Sequence, residues 1–155
     1  MAVFVGDEVA PFSLPADDGG TFSDADLRGK RTILYFYPKD DTPGCTKEAQ
    51  AFRDMIGAFQ AAGVAVVGVS TDGVASHQKF KAKHGLNFPL LADEDRTLAE
   101  AFGVWVEKSM YGKKYMGVER ASFLIDEGGV VRQVWRKVKV PGHADAVLTA
   151  ATALA

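Results

Sequence analysis

Cys45 is the only cysteine of the chain, and its thiol is the first candidate for chemistry. A single cysteine excludes a disulfide within the chain and any Cys-rich zinc or iron–sulfur site, and it fits a reducing compartment such as the cytoplasm. The ordinary role of a lone cysteine is that of a small, inert core residue. The other role is that of a reactive thiolate, and the neighbouring residues bear on the choice.

The residues before Cys45 favour the reactive role. In the segment 35–52, YFYPKDDTPGCTKEAQAF, Pro38 follows an apolar run and ends a strand. Thr42 is placed to cap a helix, and Pro43 suits the first helical position because proline has no N–H to leave unpaired. Cys45 then falls in the first helical turn, where free backbone N–H groups and the positive end of the helix dipole stabilise an anion.

Strands and helices must position this segment. Three continuous runs rich in β-branched and aromatic residues occur at 32–37, 64–70 and 121–126. They predict strands buried on both faces. A fourth run at 130–135 follows a Glu-Gly-Gly turn and is expected to form a hairpin with the third. A short strand at 88–91 and a small hairpin at 12–22 complete the predicted set.

Helical spacing of apolar residues and glycine stops predict four helices, at 45–62, 74–84, 96–102 and 143–154. Asp95 is expected to cap the third of them. Strands and helices alternate and are followed by the hairpin and a last helix. This order predicts an α/β fold with a central mixed β-sheet flanked by helices on both faces.

The length of 155 residues predicts one domain, 1–155, whose core needs no disulfide or structural metal. Lys and Arg total 18 and Asp and Glu total 20, so the net charge is −2 and no basic stripe for nucleic acid is present. No apolar run approaches the ~18 residues of a membrane span, and the N-terminus lacks the pattern of a secretory signal. Neither membrane insertion nor secretion is expected.

The segment around Cys45 also resembles a known family. Pro38-x-x-x-Thr42-x-x-Cys45, placed between an apolar strand and a helix, is similar to the active-site motif of the peroxiredoxins. Two later segments, 103–126 (GVWVEKSMYGKKYMGVERASFLID) and 138–148 (VKVPGHADAVL), resemble the Q-type, or bacterioferritin-comigratory, subfamily. The resemblance implies a thioredoxin-like fold and no cofactor.

The same resemblance implies a role for each site residue. Cys45 would be the peroxidatic cysteine, whose thiolate attacks the peroxide and becomes a sulfenic acid. Thr42 and Arg120 would orient the peroxide and polarise its O–O bond, and Pro38 would shield the pocket. The chain is then expected to be an antioxidant oxidoreductase, a thiol-dependent peroxidase that reduces hydrogen peroxide and organic hydroperoxides.

One position departs from the subfamily. Many members carry a resolving cysteine five residues after the peroxidatic one, where this chain has Gln50. The sulfenic acid must then be resolved by an external thiol, such as thioredoxin, glutaredoxin or a small thiol, in a one-cysteine cycle. The subfamily resemblance implies a monomer, with a crossed dimer through the face near Cys45 as the alternative. The missing cysteine also leaves open a second function, a redox sensor or holdase-type interaction protein on the same fold.

Glu48 lies about one helical turn after Cys45 and is expected to support the site from behind the thiol. Its charge would oppose the thiolate unless an arginine pairs with it, and Arg120 or Arg53 is expected to do so.

The remaining polar residues are assigned no part in the chemistry. The histidines have no paired spacing for a metal and are expected at the surface; they are His77, His84 and His143. The acidic runs 40–41 and 93–95 are expected in solvated loops and caps. The segment 108–116 is expected to be a loop, and the negative net charge argues against its lysines binding nucleic acid.

Overall fold

The computed structural model describes residues 3–154, and this part of the chain contains nine strands and four helices. The strands are β1 (Ser13–Pro15), β2 (Thr21–Ser23), β3 (Arg31–Phe36), β4 (Val64–Ser70), β5 (Leu90–Ala92), β6 (Trp105–Met110), β7 (Lys113–Val118), β8 (Ala121–Ile125) and β9 (Val131–Trp135). The helices are α1 (Pro43–Ala61), α2 (Val74–His84), α3 (Thr97–Ala101) and α4 (His143–Ala153). A 3-10 turn at Asp24–Leu27 lies between β2 and β3.

A five-stranded sheet in the order β5-β4-β3-β8-β9 forms the centre of the fold. β3 and β5 run parallel to β4, whereas β8 is antiparallel to both of its neighbours. The predicted mixed sheet and the hairpin between its last two strands are therefore confirmed. Every residue of β3 pairs with β4, so the loop that leaves β3 starts from a fixed point in the sheet.

Side chains of β3 show why its sequence is apolar throughout. Ile33 and Tyr35 belong to a core shared with α1, α2 and α4, while Leu34 and Phe36 belong to a second core shared with α3 and the N-terminal segment. All four side chains are fully buried. The strand is covered on both faces, as continuous apolar runs predict.

The segment 108–116 is not a loop, so that expectation is wrong. β6 and β7 pair as a separate antiparallel hairpin around a tight turn at Tyr111 and Gly112, both of which have positive φ. Most side chains of this hairpin are exposed. The strands therefore have no alternation of apolar and polar residues by which the sequence pattern could have revealed them.

Several polar residues are more buried than expected. His77 and His143 are 0% and 7% exposed, so their assignment to the surface is wrong. Asp40 and Asp93 are also buried rather than solvated. Asp93, and not Asp95, accepts hydrogen bonds from the first amides of α3, because Arg96 occupies the cap position in a left-handed conformation.

Within residues 3–154, none of the helices combines the length and the apolar composition required to cross a bilayer.

Candidate active site

The connection from β3 to α1 carries the candidate site. Thr42 is the N-cap residue of α1 with extended backbone angles, and Pro43 takes the first helical position, both as predicted. Cys45 is the third helical residue and only 2% exposed. Amides of a first helical turn have no carbonyl partner within the helix, so the sulfur lies at the positive end of the helix dipole.

Arg120 reaches the thiol from the short segment between β7 and β8. Its Nη2 donates to Cys45 Sγ at 3.5 Å, and its Nη1 donates to Glu48 Oε1 at 2.7 Å. Arg120 is therefore the partner of Glu48, whereas Arg53 donates to Asp54 and to a backbone carbonyl. The guanidinium is held between the sulfur and a buried carboxylate.

Gly44 explains how the guanidinium comes so close to the start of α1. A Cβ atom at this position would lie 3.1 Å from Arg120 Nη2 and 3.9 Å from its Cζ. That approach is closer than ordinary van der Waals contact, so a larger residue at position 44 would displace the guanidinium from the sulfur.

The two charged residues beside the thiol, Glu48 and Arg120, respond differently to pH. Burial raises the pKa of Glu48 to about 7, although the charge and hydrogen bond of Arg120 act in the opposite direction. Its second oxygen, Oε2, is buried without a hydrogen-bond partner among the described residues. Although burial opposes it, the charges of Glu48 and Cys45 raise the pKa of Arg120. Arg120 thus keeps its positive charge, while Glu48 changes its charge near neutral pH.

Thr42 and Pro38 lie on the loop side of the thiol. The Thr42 hydroxyl donates to the carbonyl oxygen of Lys39 at 2.8 Å and does not cap the helix with its side chain. Its proton is engaged, so the hydroxyl oxygen is oriented to accept a hydrogen bond. Pro38 is half-buried and lies two residues after the end of β3.

A buried polar network holds the loop between β3 and α1 in place. His77 Nδ1 lies 2.7 Å from Asp40 Oδ2 and its Nε2 lies 2.8 Å from the carbonyl oxygen of Leu91. Both partners are acceptors, and a protonated ring satisfies both of them, so the geometry favours an imidazolium. Although burial opposes it, the hydrogen bond and charge of Asp40 raise the pKa of His77. Tyr37 donates to the other Asp40 oxygen at 2.6 Å, and Ser76 donates to Oδ2 at 2.8 Å.

Neither Asp40 nor His77 could be assigned from its sequence neighbours, because the contact joins residues 37 apart. His143 was missed in the same way. It opens α4, and its Nε2 lies 2.8 Å from Ser122 Oγ on β8. Burial and the charge of Arg120 lower the pKa of His143 to about 4, so its ring is neutral and adds no second charge near the guanidinium.

The arrangement suits the transfer of an oxygen atom to sulfur. A thiolate at the helix start is stabilised by the helix dipole, and Arg120 is placed to stabilise negative charge that develops beside it. A cleft of about 740 Å³ lies between the N-terminal segment and α3, but its lining includes neither Cys45 nor Arg120.

Comparison with known proteins identifies the family. The model of the AhpC/TSA family matches residues 5–134. The candidate peroxiredoxin bcp of Coxiella burnetii is 56% identical over 143 residues, which cover 92% of this chain and 95% of that protein. Peroxiredoxin Bcp of Bacillus subtilis is 48% identical over 143 residues, covering 92% and 91%.

Solved structures agree with these relatives. A Xanthomonas campestris bacterioferritin comigratory protein, studied as a trapped intermediate and ligand complex for its alkyl peroxide reduction activity, superimposes with a TM-score of 0.88. It is 47% identical, and the match covers 92% of this chain and 90% of that one. The resemblance to Q-type peroxiredoxins and the thioredoxin-like fold are thereby confirmed. The chain therefore belongs to the AhpC/TSA family, within its Bcp or peroxiredoxin Q branch of thiol-dependent peroxidases.

Proposed function

We propose that the protein reduces hydrogen peroxide and organic hydroperoxides through Cys45, with Thr42, Arg120 and Pro38 completing the site and Glu48 holding Arg120 in place. The observation that carries this assignment is the Arg120 guanidinium, which bonds Cys45 Sγ with one nitrogen and Glu48 with the other. Organic hydroperoxides are included because the related Xanthomonas campestris protein is described by its alkyl peroxide reduction activity.

In the peroxide step, the Cys45 thiolate attacks the hydroxyl oxygen of the peroxide. A sulfur–oxygen bond forms as the O–O bond breaks, which yields a sulfenic acid and an alkoxide or hydroxide. The sulfur loses two electrons to the leaving oxygen, which then takes up a proton to become an alcohol or water. Arg120 stabilises the charge on the departing oxygen, because its guanidinium already lies beside the sulfur.

Thr42 and Pro38 would position the peroxide before it reacts. The Thr42 hydroxyl, whose own proton is bonded to Lys39, accepts a hydrogen bond from the peroxide O–H. Pro38 limits access of water on the loop side. Holding the peroxide in line with the sulfur lowers the entropic part of the barrier.

The second half of the cycle needs a thiol from another molecule, because Gln50 occupies the position of the resolving cysteine and Cys45 is the only cysteine. That thiol condenses with the sulfenic acid, releases water and forms a mixed disulfide, which a further thiol reduces. We assign this role to thioredoxin, glutaredoxin or a small thiol.

We also place the protein in the cytoplasm as a monomer, in which each chain contains one complete site.

Steady-state turnover tests the proposal. Catalytic amounts of the protein with excess dithiothreitol should consume many equivalents of hydrogen peroxide, and Cys45→Ser should abolish this consumption. Arg53→Met is the matched control, because Arg53 lies on the same helix but does not contact the thiol. A single stoichiometric burst with every thiol tested would instead identify a redox sensor and refute the peroxidase cycle.

A further inference from the structure

The β6–β7 hairpin carries four of the exposed large apolar side chains of the described chain. Met110 is 55% exposed, Tyr111 97%, Tyr115 44% and Met116 50%. The hairpin forms its own two-stranded sheet and has no hydrogen-bonded strand neighbour in the central sheet. Its strands of six residues extend the tip about 17 Å from the base. Exposed large apolar side chains grouped in this way are typical of a surface that binds another molecule.

Strand register divides these side chains between two faces. Lys108 pairs with Tyr115, and Met110 pairs with Lys113, so all four side chains lie on one side of the hairpin. We call these four residues the hairpin face. Met116 and Lys114 lie on the opposite side, where Lys114 forms an ion pair with Glu107 at 3.5 Å.

The hairpin is joined to the active site through Arg120, which lies just beyond the end of β7. Arg120, which donates to Cys45 Sγ, follows the end of β7 by two residues. Burial lowers the pKa of Lys108, the Arg120 charge lowers it further and the Cys45 charge opposes both, which agrees with a hairpin that starts beside the site. Gly117 on this face would place a Cβ 3.3 Å from Lys108 Cδ and 3.5 Å from Tyr115 Cε2, so both side chains lie flat over its backbone.

Charge distinguishes the hairpin from the rest of the molecule. Residues 105–118 contain three lysines and one glutamate and carry a net charge of +2, whereas the whole chain carries −2. A surface that is apolar at its centre and basic at its edge is complementary to one that is apolar with an acidic edge. Neither lysine of the hairpin face, Lys108 or Lys113, has an acidic partner among the described residues, and Lys113 is the exposed one of the two.

We infer that the hairpin face is the docking surface for the protein dithiol that reduces the Cys45 sulfenic acid, and that the partner's surface around its reactive thiol is apolar with an acidic edge. This inference rests on the proposed function, which requires a thiol from another molecule. The hairpin projects beside a sulfur that is itself only 2% exposed, so a partner seated on it is guided to the single reactive atom.

Reduction of the sulfenic acid by the docked partner takes two steps. The first thiolate of the partner attacks the sulfenic sulfur and forms a mixed disulfide, and the sulfenic hydroxyl leaves as hydroxide, which takes up one proton to become water. The second thiol of the partner, as its thiolate, attacks its own first sulfur and releases Cys45 as a thiolate. Two electrons have passed from the dithiol to Cys45, and the partner leaves with a disulfide.

The test uses thioredoxin, its reductase and NADPH as one reductant and dithiothreitol as the other. Met110→Ser combined with Tyr115→Ser should raise the KM for thioredoxin about tenfold or more, because apolar anchors carry much of the affinity of an interface. Turnover with dithiothreitol should be unchanged. Met116→Ser is the matched control, since this methionine has similar exposure on the opposite face. Lys113→Glu should also raise the KM for thioredoxin, and Lys114→Glu should raise it less.

Each outcome separates the inference from the proposed function. Failure of the wild-type protein to turn over peroxide with dithiothreitol would refute the peroxidase activity itself. An unchanged KM for thioredoxin in the double variant, or an equal effect of Met116→Ser, would overturn the docking surface alone. A raised KM for cumene hydroperoxide with an unchanged KM for thioredoxin would also overturn it, because the face would then bind the peroxide.

Discussion

A thiolate alone is a modest catalyst of peroxide reduction. Lowering the pKa of a thiol increases the fraction of thiolate but decreases the nucleophilicity of each thiolate, and the two effects largely offset each other. The rate must therefore depend on groups that stabilise the leaving oxygen. At Cys45 the group in position is Arg120, at 3.5 Å from the sulfur.

Arg120→Met should slow the peroxide step about a hundredfold, an effect of about 3 kcal/mol, by analogy with removal of one oxyanion-hole donor. Stopped-flow oxidation of the variant measures this loss, and a pH titration of its thiolate absorbance measures the change in ionisation. If the altered ionisation accounts for the whole loss of rate, then Arg120 does not act on the leaving oxygen.

Glu48→Gln should remove a pH dependence of stability. Burial raises the pKa of Glu48 to about 7 from an ordinary value of 4.5, so the native state holds this proton more tightly than the unfolded state. The resulting stabilisation is complete below pH ~4.5 and is lost as the pH rises through about 7, a change of about 3 kcal/mol. Urea unfolding of both proteins between pH 4.5 and 8 checks this. A difference in unfolding free energy that stays constant with pH contradicts the raised pKa.

The site lies at the start of α1, and contacts from other parts of the chain hold this end of the helix in position. Arg120 packs over Gly44 from one side, and the Asp40–His77 pair holds the preceding loop from the other. The position of Cys45 depends on both supports, and each of them can be changed without touching the thiol.

Gly44→Ala should separate stability from activity. Alanine favours a helix over glycine by up to about 1 kcal/mol, which offsets part of the cost of shifting Arg120 against Glu48, so stability should change less than the rate. Its Cβ would lie 3.1 Å from Arg120 Nη2, which moves the guanidinium and should slow the peroxide step about tenfold or more. Gly57→Ala, in the same helix with no atom within 4 Å of the added Cβ, is the control and should keep the wild-type rate. Equal rates in the two variants would show that Gly44 is not needed to seat Arg120.

His77→Gln should destabilise the protein more at low pH than at high pH. The raised pKa of His77 means that its stabilising contribution is present below the ordinary histidine pKa of ~6.5 and is lost as the pH rises through the folded value. Breaking a buried pair costs about 3 kcal/mol or more. Unfolding at pH 6 and pH 9 measures the difference. His84→Gln is the control, because its partner Asp41 is exposed, and it should change stability little. A larger loss at pH 9 than at pH 6 for the His77 variant would contradict the imidazolium.

The sequence allowed prediction of those elements whose signals are local. Continuous apolar runs revealed the central strands, and Thr42, Pro43 and the spacing to Cys45 revealed the start of α1. Arg120 was found only through its family resemblance, because nothing in its own neighbourhood distinguishes it from a surface arginine. The Asp40–His77 pair and the β6–β7 hairpin were missed, the first because it joins distant residues and the second because its strands are solvated on most of their surface.

At the scale of the whole molecule, the single cysteine determines how the protein responds to excess peroxide. α1 is unbroken from Pro43 to Ala61, and Gln50 lies within it. Residues five apart on a helix are ~140° beyond a full turn and ~7.5 Å apart along the axis, so a disulfide between these positions would require the helix to unwind.

Wild-type protein without added thiol should therefore accumulate sulfenic acid and then sulfinic acid as the peroxide concentration rises, with its helical content unchanged. Gln50→Cys should lower the sulfinic acid yield and produce an internal disulfide with loss of local helix. Intact-mass spectrometry after graded peroxide identifies the products, and circular dichroism follows the helix. Resistance of the wild-type protein to sulfinic acid formation would argue against external resolution and for a Cys45 disulfide between two chains.

The uninterrupted helix has a further consequence for how oxidation is detected. α1 buries Ala49, Phe52, Ile56 and Phe59 beyond the turn that contains the thiol, and these side chains anchor the helix in the core along most of its length. Amide hydrogen exchange along the helix should then be the same in the reduced protein and in the sulfenic acid form. The redox state of the molecule is recorded at one atom rather than in a backbone rearrangement, and anything that distinguishes the two states must recognise the sulfur itself.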